Sequence, residues 1–155
     1  MTKIKEEFYE RSDILLISQE LLGKVLITNF QGQLTSGIIV ETEAYEGLTD
    51  KASHAYGGKK TNRTITMYES GGVAYVYLCY GIHHLFNIVT NKVNIPHAIL
   101  IRAIEPLDGL PIMLKRRKKK KVDFKLSSGP GSMSEALGIT KANSGESLTK
   151  NLIWI

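Results

Sequence analysis

Two carboxylates stand two residues apart, at Glu41 and Glu43, in a stretch that alternates like a β-strand. On a strand, residues i and i+2 point to the same face. The alternation therefore predicts Ile39, Glu41, Glu43 and Tyr45 on one face and Ile38, Val40, Thr42 and Ala44 on the other. Carboxylates beside apolar groups are destabilised as anions, which suits them to general acid or base work. A solvated edge strand carrying ordinary surface acids gives the same spacing, and it is the commoner arrangement. Spacing alone does not choose between them.

Tyr75, Tyr77 and Tyr80 fall close together, with Tyr45 and Tyr56 elsewhere. Aromatic planes can stack on nucleic-acid bases and attract electron-poor rings. They can equally be sheet core, needing only partners for their hydroxyls. The histidines, His54, His83, His84 and His97, show no helical i, i+4 pair, and Cys79 is the sole cysteine. A zinc site would have to gather ligands from scattered loops, so no metal is expected. Ser127-Ser128-Gly129-Pro130-Gly131 could offer backbone N–H groups to a phosphate, but it lacks the lysine of a P-loop.

These residues need elements to position them. Ser18–Leu22 reads as the end of a short helix closed at Gly23. Lys24–Phe30 and Gln33–Tyr45 read as two strands joined at Gln31-Gly32. Glu46–Ser70 has little periodicity and is expected to be a long functional loop. Val73–Tyr80 and His84–Thr90 form a hairpin around Gly81, and Ala98–Ile104 is the next strand. A helix is expected from Asp108 to about Lys120 with Pro111 in its first turn, then another over Ser132–Leu137 closed by Gly138. Asn151–Ile155 reads as a last strand. Strands able to pair antiparallel, with short helices around them, indicate an α+β domain.

Composition limits the classes. The 155 residues make one ordinary domain, with 43% hydrophobic and 23% charged residues, well inside the globular range. One cysteine excludes an internal disulfide framework and points to a reducing compartment, expected to be the cytosol. No apolar run approaches a membrane span, and the polar start, Met1 to Arg11, is no secretory signal. The net charge of +5 is local. Lys115–Lys121 is an unbroken basic run; without it, thirteen basic residues face fifteen acidic ones. The run reads as a frayed, solvated helix end with a non-specific attraction for polyanions at most.

Taken in order, Glu41-Thr42-Glu43-Ala44-Tyr45, Ala52-Ser53-His54 with Gly57-Gly58-Lys59, Tyr75-Val76-Tyr77 with Tyr80-Gly81 and Asn87, Leu100-Ile101-Arg102-Ala103 with Glu105-Pro106-Leu107, and Ser128-Gly129-Pro130 resemble the alkyladenine (3-methyladenine) DNA glycosylase family. The resemblance runs from about Leu21 to Ile155. It implies a single α+β domain over residues 1–155, with a curved antiparallel sheet, surrounding short helices and a protruding β-hairpin. It also implies two departures. Family members commonly carry a lysine near Ser132, and they continue past the position of Ile155 through a further C-terminal segment.

The activity implied is base-excision repair: a damaged purine is flipped out of double-stranded DNA and its N-glycosidic bond hydrolysed. In that reading Glu43 is the catalytic base toward water and Arg102 a basic residue behind it. Tyr45, His54 and Tyr77 hold the flipped base, and Asn87 crowds the purine 2-position. Tyr80 is the wedge in the groove, and Lys59, Thr61, Arg63, Ile82 and His83 are DNA contacts. With no lysine as nucleophile, a monofunctional enzyme is expected, acting as a monomer without metal or organic cofactor and without a membrane partner. Its place would be cytoplasmic, at the nucleoid in a bacterium or nuclear in a eukaryote. Two other readings are a catalytically impaired lesion-binding protein of the same family and a basic RNA-associated domain using Lys115–Lys121.

Overall fold

The computed structural model describes residues 2–155. Two short helices, α1 (Glu6–Tyr9) and α2 (Ile14–Leu21), precede a β-ribbon of β1 (Val25–Phe30) and β2 (Gln33–Glu46). A long crossing segment leads to β3 (Ala74–Cys79), β4 (His83–Thr90) and β5 (His97–Pro106). Helices α3 (Leu110–Arg116) and α4 (Pro130–Leu137) follow, then β6 (Ile153–Trp154). The six strands form one curled, wholly antiparallel sheet in the order β3-β4-β5-β2-β1-β6.

Alternation along the strands sends side chains to two different layers. On one face Phe86, Ile88, Ile99 and Ile101 pack with Ile14, Ile17 and Leu21 of α2, Met113 of α3, and Met133, Ala136 and Leu137 of α4. This is the main core. A fully buried side chain such as Phe86 contributes roughly 1.5–3 kcal/mol by leaving water. On the other face a smaller cluster of Ala55, Met67, Tyr68, Tyr75, Val89 and Ala98 lies under the crossing segment.

The crossing segment is more ordered than its low periodicity predicts. Two 3₁₀ turns, Tyr56–Gly58 and Ile65–Tyr68, punctuate it. The Lys59 carbonyl accepts from the Thr64 hydroxyl (3.0 Å) and the Tyr68 hydroxyl (2.8 Å), which ties the segment to itself. Gly47 lets β2 pass into it: a Cβ there would lie 2.0 Å from the Pro96 carbonyl oxygen.

The predicted faces of β2 need correction. Ile39 pairs with Ile104, Glu41 with Ala103 and Thr42 with Ile101, so Val40 on β2 and Arg102 on β5 are left without partners. These opposed bulges interrupt the alternation of both strands. Ile39 falls into the main core, and Ala44 packs against it from the same side. Thr42 also turns that way and bonds Ser18 of α2 at 2.8 Å. Glu41 and Glu43 stay together on the opposite side, without Ile39.

Element ends also differ from expectation, as at α3, α4 and β6. Helix α3 stops at Arg116, short of Lys120, and Lys118 takes a left-handed φ of 51°. α4 begins at Pro130, before Ser132, because proline is pre-shaped for a first turn. Only Ile153–Trp154 of the expected Asn151–Ile155 strand pairs with β1.

The basic run is a solvated helix end only in part. Arg116 donates to the Thr35 hydroxyl (3.1 Å) and the Ala136 carbonyl (3.0 Å). Arg117 pairs with Glu135 (2.7 Å) and donates to the Leu126 carbonyl (3.1 Å), and Lys119 pairs with Asp123 (3.1 Å). Arg116 and Arg117 therefore pin the end of α3 to neighbouring structure, whereas Lys115, Lys118, Lys120 and Lys121 are exposed.

Candidate active site

Register places the site residues in a row. Glu43 on β2 pairs with Leu100 on β5, Leu100 with Asn87 on β4, and Asn87 with Tyr75 on β3. Cross-strand partners share a face, so these four side chains stand side by side over three strand spacings, about 14 Å. The crossing segment roofs the Asn87–Tyr75 end of this row. Between roof and sheet lies a cavity of about 120 Å³ lined by Tyr45, Ser53, His54, Met67, Tyr75, Tyr77, Asn87 and Ala98. Pockets for drug-sized ligands measure roughly 300–1,000 Å³, so this space suits one planar ring system rather than a whole nucleotide.

Three aromatic rings form one wall. The His54 ring stands edge-on to Tyr77 with centroids 4.5 Å apart, and Tyr75 and Tyr77 lie 5.5 Å apart. The His54 Nδ1 is 3.0 Å from the Tyr75 hydroxyl, and its Nε2 is 3.3 Å from an Arg63 guanidinium nitrogen. A guanidinium only donates, so Nε2 accepts and the histidine proton is assigned to Nδ1, facing Tyr75. Burial, and next the Arg63 charge, push the His54 pKa below its usual value. Burial raises the Tyr75 hydroxyl to about 12 and also raises that of Tyr77. Arg63 lies over the Tyr77 ring at 4.8 Å, a cation–π arrangement.

Glu43 is not itself part of the cavity lining but bonds Tyr45, which is; the Glu43 side chain is 42% exposed. Its Oε2 accepts from Arg102 Nη1 at 3.1 Å, and its Oε1 accepts from the Tyr45 hydroxyl. Burial, then that hydrogen bond, push the Tyr45 pKa up, so the hydroxyl stays a donor. Arg102 Nε also bonds Glu41 at 2.9 Å. Asn87, fully buried, donates to the carbonyls of Tyr75 (3.3 Å) and Leu85 (3.4 Å), which fixes its side chain in the pocket wall.

Tyr80 is elsewhere, on the turn between β3 and β4. Tyr80 and Gly81 have φ of 52° and 70°, and the Ile82 N–H donates to the Cys79 carbonyl at 3.2 Å. Consecutive left-handed residues match the right-handed strand twist of a hairpin. Glycine adopts that backbone freely, whereas tyrosine pays of order 1 kcal/mol or more. Tyr80 is nevertheless 92% exposed.

The structure thus brings Glu43, Arg102, Tyr45, His54, Tyr77, Asn87 and Arg63 together. Tyr80 and Ile82 are exposed on the hairpin tip, apart from the cavity. The His83 ring lies against α4, where a Cβ on Gly131 would come within 2.8 Å of it. The Thr61 hydroxyl bonds Thr64 inside the crossing segment (3.3 Å), while Lys59 is exposed there. Tyr75 stands in the tyrosine cluster of the sequence but is expected there to hold no place in the site, although its i, i+2 relation to Tyr77 signals a shared face. The sequence reading also left out Met67 and Ala98, for which no local signal exists. Among the described residues no three His, Cys, Asp or Glu side chains cluster as a metal site, and no helix is long and apolar enough to cross a membrane.

Comparison with known proteins assigns the class. A 153-residue match at 49% identity covers 98% of this chain and 79% of a Chlamydia felis (strain Fe/C-56) protein named "Putative 3-methyladenine DNA glycosylase". Proteins of the same name from Desulfitobacterium hafniense (strain Y51) and Clostridium tetani (strain Massachusetts / E88) are 44% and 48% identical. They match over 100% and 94% of this chain and 79% and 75% of their own lengths. The class is that of the DNA glycosylases. Within it, the model of the methylpurine-DNA glycosylase family matches residues 7–155, and the chain belongs to that family.

Proposed function

We propose that the chain is a monofunctional glycosylase that removes alkylated or deaminated purines, such as 3-methyladenine, 7-methylguanine and hypoxanthine, from double-stranded DNA. It acts as a monomer in the cytoplasm and needs no cofactor. The observation that carries this reading is Glu43, held by Arg102 and by Tyr45, whose side chain lines an aromatic cavity of one-ring-system size.

In this mechanism Tyr80 enters the duplex from the hairpin tip as the damaged nucleotide leaves, offsetting part of the few kcal/mol that flipping costs. Ile82 and His83 flank it, and Lys59, Thr61 and Arg63 meet the backbone from the crossing segment. Tyr45, His54 and Tyr77 receive the base, whose positive charge after alkylation is attracted by the ring faces. Asn87 takes the space that a purine 2-amino group would need. Glu43 accepts a proton from water as the oxygen bonds to the sugar C1′. The C1′–N bond breaks with its electron pair leaving on the base, so an alkylated base departs neutral. Arg102 positions the Glu43 carboxylate.

The test is base release from a duplex carrying hypoxanthine or an alkylated purine. Wild-type protein releases the base and leaves an intact abasic strand. Glu43→Gln keeps lesion binding and lowers turnover by about 10²–10⁴-fold, the usual range for a general base. Lesion binding without release by the wild-type chain would replace this reading with a non-catalytic lesion-binding protein. Residual turnover near wild type in Glu43→Gln would remove Glu43 from its role.

A further inference from the structure

Both glutamates of the Glu41-Thr42-Glu43 stretch bond the same arginine. Arg102 commits its Nε to Glu41 at 2.9 Å and only Nη1 to Glu43, at 3.1 Å. An arginine facing a lone carboxylate ordinarily binds it with two parallel N–H···O bonds. Here that fork is divided between two acids. The division is built into the backbone: Val40 and Arg102 are the unpaired residues of the opposed bulges, and Glu41 is shifted to pair with Ala103. In an unbroken register Glu41 would face Arg102 directly across the strands; the shift instead sets Arg102 between the two acids.

We infer that Glu41 is a positioning residue for the reaction: it holds Arg102 so that the arginine gives Glu43 one hydrogen bond instead of two. The inference rests on Glu43 being the group that activates water. Gripped by both guanidinium nitrogens as well as by Tyr45, the Glu43 oxygen facing Tyr45 would have both acceptor sites filled, and more of the carboxylate charge would be neutralised. With one donor from Arg102 and one from Tyr45, each Glu43 oxygen retains an acceptor site for water. Glu41 also shares the arginine's positive charge with Glu43. Glu41 is 55% exposed and Arg102 34% exposed, so the pair is worth little to folding and its effect lies in orientation.

The experiment is single-turnover base release by the full chain on a 7-methylguanine duplex below pH 7, comparing wild type, Glu41→Gln, Glu41→Ala and Glu43→Gln. Either Glu41 substitution frees the arginine fork to close on Glu43 and removes a competing negative charge. Both should lower the plateau rate about tenfold, less than the ~10²–10⁴-fold of losing the base itself. Both should also move the acid limb of the rate profile to lower pH, because Glu43 then releases its proton more readily. A substitution that merely loosened the strand would lower the rate without moving that limb. Unchanged rate and profile in the Glu41 variants, beside an inactive Glu43→Gln, would overturn the role of Glu41 alone. An acid limb moving to higher pH would overturn it too. Near-wild-type turnover by Glu43→Gln would overturn the underlying reading, and this inference with it.

Discussion

The two ends of β3 carry the same side chain in opposite circumstances. Tyr75 at the inner end is 2% exposed, packed beside His54, Tyr77 and Ala98 and bonded through its hydroxyl. Tyr80, just beyond the outer end, is 92% exposed and holds a strained left-handed backbone. At about 3.3 Å per residue, some 16 Å of chain separates them. One position is maintained by burial and hydrogen bonding. The other is poorly suited to folding, since it exposes a large ring and strains the chain to do so. A tyrosine retained there points to contact with something other than its own protein. The hairpin therefore joins a rigid chamber to a projecting probe, and the two ends should respond differently to substitution.

The largest effect is expected at the inner end. Truncating Tyr75 to alanine removes a buried ring from the cluster under the crossing segment and should cost about 3–5 kcal/mol, the range for large aromatic truncations. It also takes away the partner of His54, so base release should be lost as well. Chemical denaturation gives the stability change. A cost under ~1 kcal/mol would mean that the chamber is far less tightly packed than the burial of Tyr75 indicates.

The outer end should reverse that pattern. Tyr80→Gly should leave the fold unharmed, or stabilise it by up to about 1 kcal/mol, because glycine adopts the left-handed turn freely. Release of a lesion base from a well-stacked duplex should nevertheless fall about tenfold, since part of the few kcal/mol needed for unstacking goes unsupplied. Release of the same base from single-stranded DNA should be unchanged. Equal losses on the two substrates would place Tyr80 outside the flipping step, and a large loss of stability would erase the contrast between the ends.

This contrast was partly legible in the sequence. Alternation gave the strands and the hairpin, and Gly81 marked its turn, because those features depend on neighbours in the chain. Three features depended on distant ones. The opposed bulges at Val40 and Arg102 arise between strands about sixty residues apart in sequence, so simple alternation put Ile39 on the wrong face. The roof over the cavity is ordered by hydrogen bonds centred on the Lys59 carbonyl, which periodicity does not report. Arg116 and Arg117 looked like part of a charged fray because their partners, Ala136 and Glu135, lie on another helix. The family resemblance, carried by ordered short motifs, named most of the chamber residues without those contacts. It could not say that Arg102 divides itself between two glutamates.

The smallest expected effect is one of pH, and it again belongs to the inner end. His54 lies in the chamber wall, and burial together with Arg63 lowers its pKa below the ordinary 6.5. His97, at the start of β5, is lowered by burial in the same direction. A base with a depressed folded pKa takes up a proton more readily in the unfolded chain. Between pH 6.5 and the folded value the unfolded state therefore binds more protons, and stability falls as the pH drops through that window. Tm should decline on going from pH 7.5 to 5.5. Glu20 and Asp123, whose pKa values are lowered chiefly by hydrogen bonds from Arg11 and Lys119, lose their contribution only at more acidic pH, so they do not blur the step. Protonating His54 would also remove the acceptor that Arg63 uses and set two cations side by side. His54→Gln should accordingly flatten the decline without abolishing it, because His97 remains. A Tm that is constant or rises across this window would show that the chamber histidine carries a proton in the folded state, and the chain from Arg63 through His54 to Tyr75 would have to be redrawn.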